Sequence, residues 1–172
     1  TITGPRLKSI DMSDPYYEGA AQILITRKDD TIFTGTTKEE LDEQLKGKRI
    51  GVCSGFTGYF YAVGDEEGWG FQKIEDADVQ IYDNVAMAIQ DLKNNKIDTI
   101  IMDDAVAKSA AESDENKDDI KIIDVPLTIE SYAIGVKKGN EELLKQVNDA
   151  LAELKSSGEL QEMFEKWNIE TK

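Results

Sequence analysis

Apolar and polar residues alternate along the chain in a way that predicts strands separated by helices. Short apolar runs rich in β-branched residues are typical of buried strands, and apolar residues three or four positions apart are typical of helices that cover a sheet. The predicted strands are residues 20–26, 49–53, 79–82, 97–103, 120–123 and 132–136. This alternation indicates an α/β fold with a largely parallel sheet.

The predicted helices begin at residues that can cap a helix N-terminus. Thr37 is followed three residues later by Glu40, which together form a capping box, and Leu41 and Leu45 give that helix an apolar stripe. Further helices are predicted at residues 59–63, 84–94, 104–113 and 140–157, with a last helix after Gly158. Residues 64–70 read as a loop or lid between two of these elements.

The two ends of the chain differ from its middle. Residues 20–128 hold enough strands and helices for a complete small α/β lobe. Residues 1–19 form a turn-rich segment without a clear strand or helix, and residues 129–172 finish in two amphipathic helices that need an apolar surface to cover. We therefore predict one complete lobe, 20–128, and one incomplete lobe built from 1–19 and 129–172.

Charge and composition exclude several function classes. The 172-residue chain has a formal net charge of -15, which argues against nucleic acids and anionic membranes as partners. It contains one Cys and no His, which excludes an internal disulfide, Ser-His or Cys-His catalysis and His-ligated metal sites. No cofactor is predicted, and no apolar run reaches the length of a membrane span.

A glycine-containing turn follows the predicted strand 49–53. It reads Ser54, Gly55, Phe56, Thr57, Gly58 and leads into a helix. Glycine lets the backbone approach a ligand, and a helix N-terminus favours an anion, so Thr57 could offer a hydroxyl and an N–H to a carboxylate. Such turns are also common without any ligand, and the pattern alone favours that interpretation.

Two charged residues extend the candidate set. Asp103 ends the strand 97–103, where its carboxylate would suit an ammonium group, although Asp103 or Asp104 could instead cap the next helix. The guanidinium of Arg6 presents paired N–H donors that match a carboxylate, although an Arg more commonly forms a surface salt bridge. With the Thr1 hydroxyl and the turn, these groups complement an α-amino acid and do not form a set for covalent catalysis.

Several segments, in order along nearly the whole chain, carry a resemblance to a known family. They include Thr-Ile-Thr-Gly-Pro-Arg at residues 1–6 and Ile-Asp-Met-Ser-Asp-Pro-Tyr-Tyr at residues 10–17, followed by residues 45–52, 54–58, 97–103, 132–139 and 151–167. The ordered set resembles polar amino-acid-binding proteins, the extracytoplasmic substrate-binding subunits of ABC importers. No single segment is decisive.

The resemblance implies two α/β lobes joined by two crossing strands, with the ligand between them and hinges near residues 16–20 and 128–132. Arg6 matches the arginine that clamps the ligand α-carboxylate, and Thr1 matches the group beside it. Thr57 matches the second-lobe group that also meets the carboxylate. Asp103 matches the acid that receives the α-ammonium.

The chain also departs from the family pattern. The strand, helix and aromatic loop with which the family begins do not precede Thr1, so we expect an incomplete first lobe whose exposed surface can pair with a second copy. Cys53 and Phe56 stand where the family has polar or small residues, and Phe56, beside Ser54, could stack on the ligand side chain. The identity of the amino acid therefore stays open.

The sequence thus predicts a non-enzymatic, extracytoplasmic solute-binding protein for a polar amino acid. Its expected partners are the free amino acid and the membrane subunits of an ABC importer. We expect it in the periplasm or anchored at the cell surface, with its signal segment outside this chain. One alternative is a ligand-sensing domain of a receptor or channel. The other is a dehydratase on the same scaffold, for which Glu130 is the candidate acid.

Overall fold

Two compact units make up the structure. The computed structural model describes residues 1–66, 68–167 and 169. The central unit comprises Ala21–Thr128, and the terminal unit comprises Thr1–Ala20 together with Ile129–Lys172. The chain therefore passes from one unit to the other twice, after Ala20 and after Thr128.

Strands and helices alternate along most of the described residues. The strands are β1 Ile10–Met12, β2 Tyr17–Ala20, β3 Gln22–Arg27, β4 Arg49–Cys53, β5 Asp78–Tyr82, β6 Thr99–Asp103, β7 Ile120–Ile123, β8 Glu130–Tyr132 and β9 Gly135–Lys137. The helices are α1 Gly4–Ser9, α2 Lys38–Leu45, α3 Thr57–Val63, α4 Val85–Lys93, α5 Asp104–Glu112, α6 Glu141–Ser157 and α7 Glu159–Lys166. Among the described residues, no helix combines the length and the apolar character that crossing a membrane requires.

The central unit is built on a five-stranded sheet in the order β5-β4-β6-β3-β7. Strand β4 runs parallel to both β5 and β6, whereas β3 runs antiparallel to β6 and to β7. The prediction of a largely parallel sheet was therefore wrong for the half of the sheet that contains β3. A buried strand has the same apolar run in either direction, so the pattern does not reveal its orientation.

Helices cover both faces of this sheet. Along β3, Ile23 and Ile25 pack on the face covered by α4 and α5, whereas Leu24 packs on the face covered by α2 and α3. The same alternation recurs along β6, where Ile101 points away from the face that Ile100 shares with Met102. Because successive side chains of a strand point to opposite faces, a strand buried on both faces needs the continuous apolar run seen in the sequence.

Polar side chains cap the helices where the sequence predicts it. The hydroxyl of Thr37 accepts a hydrogen bond from the N–H of Glu40 at 3.3 Å, and the side chain of Asn84 accepts one from Met87 at 3.1 Å. Such caps satisfy amides that the helix itself leaves unpaired. At the other end of α6, Gly158 has φ of 86°, a left-handed conformation that favours glycine.

The terminal unit contains two small antiparallel pairs, β1 with β9 and β2 with β8. The ring of Tyr17 on β2 lies 5.6 Å from that of Phe164 on α7 and 5.7 Å from that of Tyr132 on β8. The last helix therefore has an apolar surface to cover, and the early part of the chain supplies it.

Two predictions for the terminal unit were wrong. The segment 1–19 does contain regular structure, namely α1, β1 and β2. Thr3 caps α1 by accepting from the N–H of Arg6 at 3.2 Å, but a six-residue helix is too short to show an apolar period. The predicted strand 132–136 is two strands, β8 and β9, because Ser13 engages Ile134 between them through its backbone and its hydroxyl.

A partly buried ion pair joins β4 to the residue just before β6. The guanidinium of Arg49 lies 2.6 Å from Asp98 Oδ1, and the Arg49 backbone N–H donates to Asp98 Oδ2 at 2.9 Å. The side chain of Asp98 is only 16% exposed. Hydrogen bonds from the Arg49 side chain are the main cause that lowers the pKa of Asp98 below its ordinary value of 3.8.

Asp98→Asn should therefore lower the free energy of unfolding at neutral pH by about 2 kcal/mol, the usual scale for hydrogen bonds to a charged group. Because the folded-state pKa of Asp98 is lowered, this stabilisation is present above 3.8 and is lost as the pH falls through the folded-state value. The free energies of unfolding that urea titrations give for wild type and variant should therefore converge in acid.

Asp114→Asn is the matched control. Asp114 also pairs with a cation, Lys117, at 2.5 Å, but its side chain is 96% exposed. Exposed ion pairs contribute little, so this variant should match wild type. Equal unfolding free energies for Asp98→Asn and Asp114→Asn at neutral pH would contradict the stabilising role assigned to the pair of Arg49 and Asp98.

Candidate functional site

Four of the predicted site residues lie at one edge of the central sheet. Strands β4 and β6 are parallel neighbours, with Ile50 opposite Thr99, so the residues that follow β4 and the residue that ends β6 share an edge. The four are Ser54, Phe56, Thr57 and Asp103, and we call them the strand-end site. In open α/β sheets, this edge is where ligands commonly bind.

The electrostatics of Cys53 support this arrangement. Cys53 is the last residue of β4, and its thiol is buried. Burial is the main cause that raises the pKa of Cys53, and the negative charge of Asp103 raises it further. The carboxylate of Asp103 therefore lies close enough to the end of β4 to interact electrostatically with the Cys53 thiol.

The side chains of the turn after β4 differ in their exposure to solvent. Gly55 has φ of 77°, the left-handed conformation that lets the chain turn between β4 and α3. Thr57 begins α3, two residues earlier than predicted, and is buried. Phe56 is 43% exposed and Ser54 is exposed as well. An exposed aromatic ring beside a buried hydroxyl residue could pack on a ligand, which the sequence predicts for Phe56.

The two neighbouring acids at the end of β6 have different partners. Asp104 Oδ1 accepts a hydrogen bond from the N–H of Ala105 at 2.8 Å, whereas Asp103 makes no side-chain cap to α5. Asp103 Oδ1 instead accepts a hydrogen bond from the side-chain amide of Gln22 at 2.5 Å. Asp103 therefore holds the N-cap position of α5 without capping the helix through its side chain, and its carboxylate interacts with β3 instead.

Gln22 is the residue that sequence reasoning missed. It lies within the predicted strand 20–26, whose apolar run it interrupts. It lies directly opposite Asp103 on the antiparallel strand β3 and is fully buried. A buried amide inside an apolar strand needs a polar partner, and that requirement was the available signal.

The remaining predicted residues lie together in the terminal unit. Arg6 Nη1 donates to the carbonyl of Thr1 at 2.9 Å, and the Thr1 hydroxyl donates to Glu130 Oε2 at 2.7 Å. Glu130, the candidate acid of the dehydratase alternative, is 3% exposed. We call these three residues the terminal cluster. It brings together a cation, a hydroxyl and a buried carboxylate, which are groups that can bind the two charged ends of an amino acid.

A cavity of about 560 Å³ lies elsewhere in the central unit, and none of the predicted site residues lines it. Tyr61 donates to Asp42 at its wall, and burial is the main cause that raises the pKa of Tyr61. The stacked rings of Trp69 and Phe71 form another wall. Trp69 lies within the loop predicted at 64–70, and Phe71 follows that loop. Residue 67 lies outside the described residues. A lid role for this loop stays a prediction.

Comparisons with known proteins match almost the entire chain. The sequence profile of the family described as bacterial extracellular solute-binding proteins, family 3, matches residues 1–170. The L-cystine-binding protein TcyJ of Escherichia coli (strain K12) is 35% identical, with the match covering 97% of this chain and 57% of that protein. The ABC transporter glutamine-binding protein GlnH of Bacillus subtilis (strain 168) is 32% identical, with coverages of 97% and 55%.

Solved structures confirm the predicted fold class. An ancestral arginine-binding protein bound to arginine is similar with a TM-score of 0.80 and 35% sequence identity, covering 97% of this chain and 68% of that one. The chain spans little more than half the length of the two curated relatives. This coverage agrees with the prediction of one complete α/β lobe and one incomplete lobe.

Proposed function

This chain belongs to the bacterial extracellular solute-binding proteins, family 3, and on that premise we propose that it captures a free polar amino acid for ABC-type import. Cystine, glutamine and arginine appear in the names of the similar proteins. These molecules share an α-carboxylate and an α-ammonium and differ in their side chains. The proposal therefore concerns the shared backbone of the ligand and leaves its side chain open.

One observation carries the proposal: the carboxylate of Asp103 and the residues of the turn at Thr57 lie at the same edge of the central sheet. Asp103 would receive the α-ammonium, because a carboxylate and an ammonium form a charge-assisted hydrogen bond. Thr57 would meet the α-carboxylate, with Ser54 and Phe56 beside it.

Arg6 of the terminal cluster would supply a positive charge for a carboxylate. The guanidinium of Arg6 presents paired donors that match a carboxylate, and Thr1 lies directly beside it. We propose that Arg6 and Thr1 bind the α-carboxylate of an amino acid. No group of three or more His, Cys, Asp or Glu side chains within the described residues could hold a metal ion.

The membrane subunits of an ABC importer are the proposed protein partner. The name of one similar protein assigns it to an ABC transporter, and the family description places its members outside the cell. We therefore propose an extracytoplasmic location for this chain, in the periplasm or anchored at the cell surface. Similar proteins are named for binding rather than for catalysis, which supports a role without turnover.

Self-association of this chain is a further part of the proposal. Large apolar side chains of the terminal unit are exposed, and among the described residues they include Leu7, Ile129, Ile134, Met163 and Trp167. Exposed apolar groups of this size favour burial against a partner. A second copy of the chain would cover them, and sedimentation velocity at increasing protein concentration should then show a growing dimer fraction.

Isothermal titration calorimetry with a panel of free α-amino acids tests the proposed function. We expect saturable binding of at least one polar amino acid by the 172-residue chain or by the full-length product of its gene. The matched control is the corresponding α-keto acid, which lacks the ammonium and should bind far more weakly because it cannot pair with Asp103. Absence of binding by both protein forms to the whole panel would overturn the proposal.

A further inference from the structure

Gln22 has an unusual position for a polar residue. It begins β3, is 0% exposed, and is followed along the strand by the apolar residues Ile23, Leu24 and Ile25. Burying an amide among apolar groups is unfavourable unless the amide is hydrogen-bonded. The hydrogen bonds of Gln22 therefore explain why an amide is present at this position.

The backbone of Gln22 is fixed on both sides. Its N–H donates to the Thr128 hydroxyl at 3.0 Å, and its carbonyl accepts from the N–H of Leu127 at 2.8 Å. On the opposite side, Gln22 is the register partner of Asp103 across the antiparallel β3-β6 pair. The point from which its side chain extends is thus set by two neighbouring segments of the central unit, residues 127–128 and β6.

The side chain uses this fixed position to reach Asp103. Gln22 Nε2 donates to Asp103 Oδ1 at 2.5 Å. A hydrogen bond to a carboxylate is charge-assisted and depends strongly on direction, so it restrains the rotation of the carboxylate about its own bond. This bond from β3 therefore restrains the orientation of Asp103, which makes no side-chain cap to α5.

The first turn of α3 leaves space for this amide only because residue 58 is glycine. A Cβ at Gly58 would lie 2.9 Å from Gln22 Oε1 and 2.8 Å from the backbone carbonyl of Ile101. Both distances are shorter than ordinary van der Waals contacts. The carbonyl belongs to the backbone of β6 and cannot move aside easily. Strands β3 and β6 and helix α3 thus converge on the contact between Gln22 and Asp103.

We propose that Gln22 is the positioning residue of the binding site: its buried amide holds the Asp103 carboxylate in the orientation that receives the ammonium group of the ligand. This inference rests on the proposed function, because Asp103 is the residue assumed to touch the ligand. Gln22 itself acts through Asp103. A purely structural glutamine would affect stability but would have no specific effect on the ammonium contact.

A double-mutant cycle tests the functional part. Gln22→Met keeps the length of the side chain and removes the donor, and it should weaken amino-acid binding by about tenfold, the scale of one charge-assisted hydrogen bond. In the Asp103→Ala background the same change should have no further effect, because the group it positions is absent. If Gln22→Met does not fold, Gln22→Leu replaces it.

Thr99→Val is the matched control. Thr99 is another fully buried polar residue of this sheet, and its hydroxyl donates to the carbonyl of Ile25 at 3.0 Å. Loss of this hydrogen bond in Thr99→Val should lower the melting temperature, as Gln22→Met does. The affinity for the amino acid should stay at the wild-type value. An equal loss of affinity from Gln22→Met in both backgrounds would overturn the positioning role.

A second measurement needs no ligand and separates failure of this inference from failure of the proposed function. In the ligand-free chain, the side-chain amide resonances of Gln22 should shift in the Asp103→Ala variant, because their acceptor is lost. Unchanged resonances would contradict the inference whatever the chain binds. Shifted resonances in a chain that binds no amino acid would leave the orienting contact intact and overturn the proposed function instead.

Discussion

Asp103→Ala is expected to weaken amino-acid binding by roughly a hundredfold or more, since truncating one partner of a desolvated charge pair typically costs about 2–5 kcal/mol. The reason is that Asp103, at the end of β6 and beside the turn that follows β4, is the residue proposed to receive the ligand ammonium. Isothermal titration calorimetry with the best ligand of the panel measures the effect. Circular dichroism should show that the variant remains folded.

Asp29→Ala is the control for Asp103→Ala. Asp29 is an exposed acid just beyond the end of β3, and because β3 is antiparallel to β6, it lies past the opposite edge of the sheet from Asp103. The two variants lose the same charge, so a nonspecific electrostatic effect would weaken binding equally in both. Wild-type affinity in Asp103→Ala would show that this residue serves only the fold.

Arg6→Ala is the second substitution with a large expected effect. Removal of the guanidinium should reduce affinity by roughly a hundredfold, because the α-carboxylate would lose its paired donors. Arg6→Lys should recover only part of the loss, since a lysine ammonium cannot form the two parallel hydrogen bonds of a guanidinium. Calorimetry with the same ligand gives all three affinities.

Lys8→Ala provides the comparison for Arg6. Lys8 lies on the same helix, α1, and is exposed. It carries the same charge as Arg6 but is not part of the terminal cluster, so its removal should leave affinity unchanged. Arg6 also donates to the carbonyl of Thr1. A similar fall in affinity for Arg6→Ala and Lys8→Ala would show that the overall charge of α1 matters and that the carboxylate clamp does not.

The predictable part of this fold is the part that local chemistry determines. Strand β4 has the predicted bounds, and Thr37, Asn84 and Asn140 all accept the hydrogen bonds expected of helix caps. These features depend on residues within one turn of the chain. The strand-end residues could also be anticipated, because a polar residue directly after a buried strand lies at the edge of the sheet wherever that strand is placed.

The features that the sequence did not reveal depend on distant residues. The orientation of β3 is set by its pairing with β6 and β7, and the split between β8 and β9 depends on Ser13 far earlier in the chain. Gln22 is the most instructive case, because its partner Asp103 is 81 positions away. A polar residue inside an otherwise apolar strand is the one sign in the sequence that such a partner exists.

The most direct test of the account is an NMR titration of the isotope-labelled protein with the amino acid that binds best. We predict saturable shifts of the backbone amides at Ser54, Phe56, Thr57 and Asp103, together with those of the terminal cluster. Saturable shifts confined to the cavity lined by Trp69 and Phe71, with the strand-end site unchanged, would contradict the account.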